Sequence, residues 1–113
     1  MRIATPKKVE DYLTPDGTDV FQEWLEGLSD QRTKVLLDKT IAKVRLGNLG
    51  DHKSVGEGVQ ELRLDHGPGY RIYIGEHGSV LVILLCGGTK RRQQQSIDLA
   101  KRYWKDWKER SSK

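Results

Sequence analysis

The sequence predicts an α+β domain in which a four-stranded antiparallel sheet carries an N-terminal αα-hairpin and a C-terminal basic helix, in the order β-α-α-β-β-β-α. Three observations predict it. Apolar residues recur at helical spacing from 20 to 44, they alternate with polar ones from 59 to 74, and an amphipathic basic stretch follows residue 90.

Residues 7–13, KKVEDYL, read as a first strand, and the cluster Thr14-Pro15-Asp16-Gly17 as the turn that ends it. Asp19 followed three positions later by Gln22 has the form of a capping box, and Val20, Phe21, Trp24, Leu25 and Leu28 then line one helical face. Ser29 or Asp30 can cap a second helix, in which Thr33, Leu37, Ile41 and Val44 share a side until Gly47-Asn48 stops it. The short connection predicts an antiparallel pair of helices with one combined apolar stripe.

That stripe needs a flat partner, which the second half supplies. From Val59 to Asp65, Leu62 and Leu64 face one way and Glu61, Arg63 and Asp65 the other. After the turn His66-Gly67-Pro68-Gly69, Tyr70, Ile72 and Ile74 share a face, while Arg71 and Tyr73 take the opposite one. His77-Gly78 turns the chain again into Val80–Cys86, apolar throughout as a central strand should be. Gly87-Gly88 is expected to end this meander, and Ile97, Ala100, Trp104 and Trp107 mark the buried stripe of the last helix.

A chain of 113 residues with 35% hydrophobic content supports one domain with one modest core. Its single cysteine, Cys86, excludes an internal disulfide and a multi-thiolate metal site. The start MRIATPKKVE lacks the apolar stretch of a secretion signal, and the run at 80–86 is too short to cross a bilayer, so a cytoplasmic protein without a membrane partner is expected. Charge is unevenly placed. Residues 90–113 hold nine bases against three acids, a net +6, whereas the first 89 residues hold eleven bases against thirteen acids, a net −2. A basic end on an acidic body suits a polyanion or an acidic protein, and it equally suits an ordinary solvated helix face.

Strand alternation places Arg63 and Arg71 together on the face opposite the leucines, which is expected to be the less buried one. With Tyr73 beside them and Lys90, Arg91 and Arg92 leaving the last strand, they would form a cationic surface suited to phosphate. The alternative is that Arg63 makes a common sheet ion pair with Glu61, Asp65 or a cross-strand acid. His52, His66 and His77 lie in glycine-rich loops, where surface roles are ordinary. His52-Lys53, in the segment entering the sheet, is the histidine best placed to move a proton on the cationic face. Trp104 and Trp107 could stack on bases, but their helical spacing with Ile97 and Ala100 favours core packing. Gly87-Gly88-Thr89-Lys90 lacks the spacing and the following hydroxyl of a Walker loop.

The stretches GVQELRLDHGPGYRIYIG (58–75) and LLCGGTKRRQQQSIDLA (84–100), supported by FQEWLEGL (21–28), resemble the RelE/ParE toxin superfamily. Within it the chain is similar to the HigB-like addiction module killer proteins of type II toxin-antitoxin systems, from Val9 to about Trp104. The resemblance implies a RelE-like fold and a ribosome-dependent mRNA endonuclease that uses the RNA 2′-hydroxyl as nucleophile, without metal or cofactor. It implies catalytic roles for Arg71 on the scissile phosphate, for Lys90 and for Arg63. Tyr73 and His52 are candidates for proton transfer, with His66 and Asp98 as further ones, because Ile97 stands where RelE members carry a tyrosine and Tyr103 lies too far along. Lys53, Arg91, Arg92 and His66 are the residues expected to hold RNA. The implied partners are the ribosome, mRNA and a cognate HigA-like antitoxin, usually with a helix-turn-helix. ParE-like members instead inhibit DNA gyrase by protein contact, and a degenerate toxin would act only inside an antitoxin repressor complex.

Overall fold

A computed structural model describes residues 5–112, so most of the basic end is in view but Lys113 and the first four residues of the polar start lie outside it. The chain is α+β, with strands β1 (Lys8–Asp11), β2 (His52–Gly56), β3 (Val59–Leu64), β4 (Tyr70–His77) and β5 (Leu81–Thr89) and helices α1 (Val20–Glu26), α2 (Gln31–Arg45) and α3 (Gln93–Ser111). A 3₁₀ turn, Lys90–Arg92, joins β5 to α3.

The sheet has five strands in the order β1-β5-β4-β3-β2 and is mixed, which corrects the expectation of four antiparallel strands. The meander β2-β3-β4-β5 is antiparallel, but β1 runs parallel to β5, with Lys8 opposite Leu81 and Asp11 opposite Leu84. The helical crossover between β1 and β2 carries the chain across the sheet, so β1 ends beside the last strand of the meander. The added strand, β2, is an exposed edge with only Val55 half-buried, and its sequence shows no apolar alternation. Its pairing is set by a tight turn in which Glu57 (φ 55°) and Gly58 (φ 85°) are both left-handed, as two-residue hairpin turns require.

Both helix starts are capped by aspartate. The Asp19 carboxylate accepts from the Gln22 backbone N–H at 3.0 Å, although the Gln22 side chain turns to Glu26 rather than closing the box. Asp30, not Ser29, caps α2 through the Arg32 N–H at 3.0 Å and takes the Thr33 hydroxyl at 2.9 Å. On one sheet face Phe21, Leu25, Leu37, Ile41 and Val44 pack on Leu62, Leu64, Ile72, Ile74, Val82 and Leu84. On the other, α3 lays Ile97, Ala100 and Trp104 over Val59, Tyr73, Ile83, Leu85 and Cys86. The second face is therefore a core as well, against the expectation that it is the less buried one. A bulge between Tyr73 and Ile74 shifts the β4–β5 register and lets consecutive Leu85 and Cys86 join that second core.

Gly87 and Gly88 do not end β5, which continues to Thr89. Their role is steric. A Cβ on Gly87 would collide with the Trp24 ring, and one on Gly88 would stand 2.5 Å from the Ser96 hydroxyl, so α1 and α3 each approach the strand where it has no side chain.

One consequence of this packing is measurable. Burial, followed by the hydrogen bond and charge of Asp19, pushes the Asp11 carboxyl up to about 7, with Arg45 opposing. The folded chain thus pays for ionising Asp11: the penalty is absent below about pH 4, grows from there and is complete above pH 7. Asp11→Asn is expected to stabilise the fold by about 1 kcal/mol at pH 8 and by almost nothing at pH 4, read from urea unfolding at the two pH values. An equal effect at both would contradict the assignment.

Candidate functional site

Arg63 on β3 and Arg71 on β4 are direct cross-strand partners, so they share a face as alternation requires. They meet Lys90 in a cleft of about 320 Å³ at the end of the sheet, whose remaining lining is Asp51, Leu64, Asp65 and Gly69. The β3–β4 turn makes this meeting possible. Gly69 is left-handed (φ 78°), and a Cβ there would lie 3.1 Å from the Lys90 Cβ and 3.4 Å from Arg71 Nη1. Its carbonyl accepts the Lys90 backbone N–H at 2.8 Å, which pins the start of the 3₁₀ turn against the sheet. Three of the five expected catalytic residues thus come together.

Beneath them lies Glu61, with no exposed surface. Its Oε1 accepts from Arg63 Nε at 2.9 Å and has Arg71 Nε at 3.9 Å. Its Oε2 accepts from the Tyr73 hydroxyl at 2.9 Å and from Gln93 Nε2 at 2.8 Å. Burial raises the Glu61 carboxyl, but the hydrogen bonds from Arg63, Gln93 and Tyr73 outweigh it and hold the group below its ordinary value, so it is ionised at neutral pH. Arg71 is itself only 9% exposed; its Nη1 donates to the Tyr70 carbonyl at 3.3 Å, and its Nε has no hydrogen-bond partner. The alternative reading of Arg63 as a partner of Glu61 therefore holds, yet Arg63 spends only Nε on that pair and stays about one-third exposed.

Tyr73 stands behind the cleft rather than beside the guanidiniums on an open face, which corrects the expectation for it. It is wholly buried, and burial together with the Glu61 hydrogen bond and charge pushes its phenol far above the ordinary value, so the proton stays on the Tyr73 oxygen and is donated to Glu61 in a hydrogen bond. His52 is opposite Leu62 in the β2–β3 ladder, and opposed residues share a face, so it points to the hairpin side and away from Arg63. Its Nδ1 lies 2.8 Å from the Gly50 carbonyl. Lys53, opposite Glu61, is on the cleft's face and exposed.

His66 leans the other way: its Nε2 is 3.3 Å from the Thr33 hydroxyl and its ring stacks on Tyr70. Arg91 and Arg92 are exposed beside Gln94 and Gln95, in a separate depression of about 280 Å³. Asp98 accepts from Gln94 at 2.9 Å and faces a third depression along α3. Ile97 is core, and Tyr103 stacks on Tyr12 at 4.7 Å between centroids, so neither reaches the cleft. Burial pushes the Cys86 thiol up to about 12, which leaves it inert as a nucleophile.

Sequence reasoning passed over Glu61 as a site residue, and with it Gln93 and the rim acids Asp51 and Asp65. The signal for Glu61 was present as an acid alternating with Arg63 on the face of Arg71 and Tyr73, but only the packing of α3 shows that this face is sealed. Among the described residues, no three His, Cys, Asp or Glu side chains converge to hold a metal ion. No helix among them is long and apolar enough to cross a membrane.

No protein-family profile matches the chain, and no solved structure matches it. A protein of Haemophilus influenzae described as uncharacterized is 46% identical over 84 residues, covering 74% of this chain and 85% of that one.

Proposed function

Because the chain belongs to one family with that Haemophilus influenzae protein, whose description assigns no activity, we propose a function from the chain's own cleft and motifs: a cytoplasmic, RelE-like toxin that cleaves mRNA on the ribosome and is held in check by an antitoxin. The observation that carries the reading is the convergence of Arg63, Arg71 and Lys90 on one cleft. The reaction draws on charge. The RNA 2′-hydroxyl loses its proton as its oxygen bonds to phosphorus, the bond to the 5′-oxygen breaks as that leaving oxygen takes a proton from water, and the negative charge that builds on the phosphoryl oxygens needs fixed donors. Two guanidiniums and an ammonium supply them. The cleft's own proton acceptors are the carboxylates of Asp51 and Asp65, which take the place in this reading that His52 and Tyr73 vacate.

A specific observation favours a second reading. Lys101, Arg102, Lys105 and Lys108 line a depression of about 660 Å³ along α3, with Glu57, Gly58 and Asp98 completing it. Such a basic flank suits an acidic protein, as a gyrase inhibitor would require. Expression in cells, followed by primer extension on transcripts and a plasmid supercoiling assay, separates the two. Codon-phased cuts within translated regions are expected. Relaxed plasmid with intact transcripts would replace the nuclease with the inhibitor, and harmless expression without antitoxin would remove both.

A further inference from the structure

Among the described residues Glu61 is the only acid in the buried set, and burial of an ionised carboxylate is costly unless several donors compensate it. Here the donors come from three elements: Arg63 from β3, Tyr73 from β4 and Gln93 from the first position of α3. The two oxygens divide the work. Oε2 takes the interior donors Tyr73 and Gln93, whereas Oε1 faces the two arginines that line the cleft. Arg63 and Arg71 are also directly opposed across the β3–β4 ladder, an arrangement in which like charges repel. A negative charge between them is what permits both to point into one cleft. Since Glu61 engages Arg63 through Nε, the terminal guanidinium nitrogens of Arg63 remain outside that contact.

We propose that Glu61 is the positioning residue of this cleft: its Oε1 clamps Arg63 by Nε and holds Arg71 alongside, so that the terminal N–H groups of Arg63 and those of Arg71 not engaged by the Tyr70 carbonyl are presented together to one phosphodiester. The inference rests on the cleft being a phosphate site, and it adds that the arginines are oriented before the ligand arrives. Preorganised donors bind developing charge without reorganisation, which mobile arginines cannot do. Glu61 touches no substrate in this arrangement and acts only through the arginines.

The test uses the full chain, a short single-stranded RNA made uncleavable by 2′-deoxy substitution, and two substitutions. Glu61→Gln keeps the shape and removes the charge; Tyr73→Phe cuts only the interior oxygen's contact. In proton–nitrogen NMR spectra of arginine side chains, the wild-type Arg63 Nε–H is expected to exchange slowly with solvent, and Glu61→Gln to lose that protection. Oligonucleotide affinity should fall about tenfold in Glu61→Gln, as loss of one charge-assisted contact implies, and stay within about threefold of wild type in Tyr73→Phe. Free exchange of Arg63 Nε–H in the wild type, wild-type affinity in Glu61→Gln, or an equal loss in Tyr73→Phe would each overturn the clamp. Should Glu61→Gln not fold, the wild-type exchange rate and Tyr73→Phe still decide it. A wild-type chain that binds no oligonucleotide but protects Arg63 would overturn the phosphate reading and uphold the clamp.

Discussion

Arg71→Ala is expected to lower transcript cleavage by roughly 10²- to 10³-fold and to abolish toxicity on expression, because it removes a fixed donor from the place where phosphoryl charge develops. Burial changes what else this substitution does. An exposed arginine could be truncated with no structural cost, but Arg71 is 9% exposed and lies over the Glu61 carboxylate, so a stability loss of about 1–3 kcal/mol accompanies the change. Cleavage and thermal midpoint must therefore be measured on the same preparation. Arg71→Lys separates the two effects, since it keeps a charge near Glu61 and loses the planar fork. Lys90 is exposed at the rim, and Lys90→Ala should weaken cleavage less and leave the midpoint unchanged. A folded Arg71→Ala protein that remains fully toxic would sink the nuclease reading.

The largest stability effect is expected at Trp104→Ala, about 3–5 kcal/mol, a large part of the 5–15 kcal/mol typical of a whole domain. Trp104 is 3% exposed, stacks on Trp107 with centroids 5.2 Å apart, and lies on Gly75 of β4 so closely that a Cβ there would collide with its ring. Gly75→Ala should consequently cost about 1–3 kcal/mol by overpacking. The double substitution should cost less than the sum of the two, because the methyl enters space the ring has left. Urea unfolding of the three variants gives the comparison, and strict additivity would contradict this packing. Trp104→Ala should also loosen the cleft, since α3 begins with Gln93, which holds Glu61.

The local features of the chain were legible because their causes are local. Helix starts follow from Asp19 and Asp30, whose carboxylates cap backbone N–H groups two or three residues ahead. The common face of Arg63 and Arg71 follows from the twofold repeat of a strand and a turn that brings the strands into register. β2 was not legible: HKSVG has no apolar alternation, and an edge strand needs little burial to persist once its backbone is paired. Nor was the direction of β1, since a strand's own pattern does not say which neighbour it will join.

By itself, then, the sequence determined the three helices and the strands other than β2, which side chains of those strands share a face, and that its basic residues gather toward the C-terminal end. The tertiary structure decided what covers each face and which charges are already spent. Packing α3 on the second face made a core of the face expected to be the less buried one, buried Tyr73 and Glu61, and left Arg63, Arg71 and Lys90 at its margin. The β2–β3 register sent His52 to the opposite side. Alternation is a property of one strand and can be read along the chain, whereas burial and charge pairing depend on elements distant in sequence that meet only when the layers close.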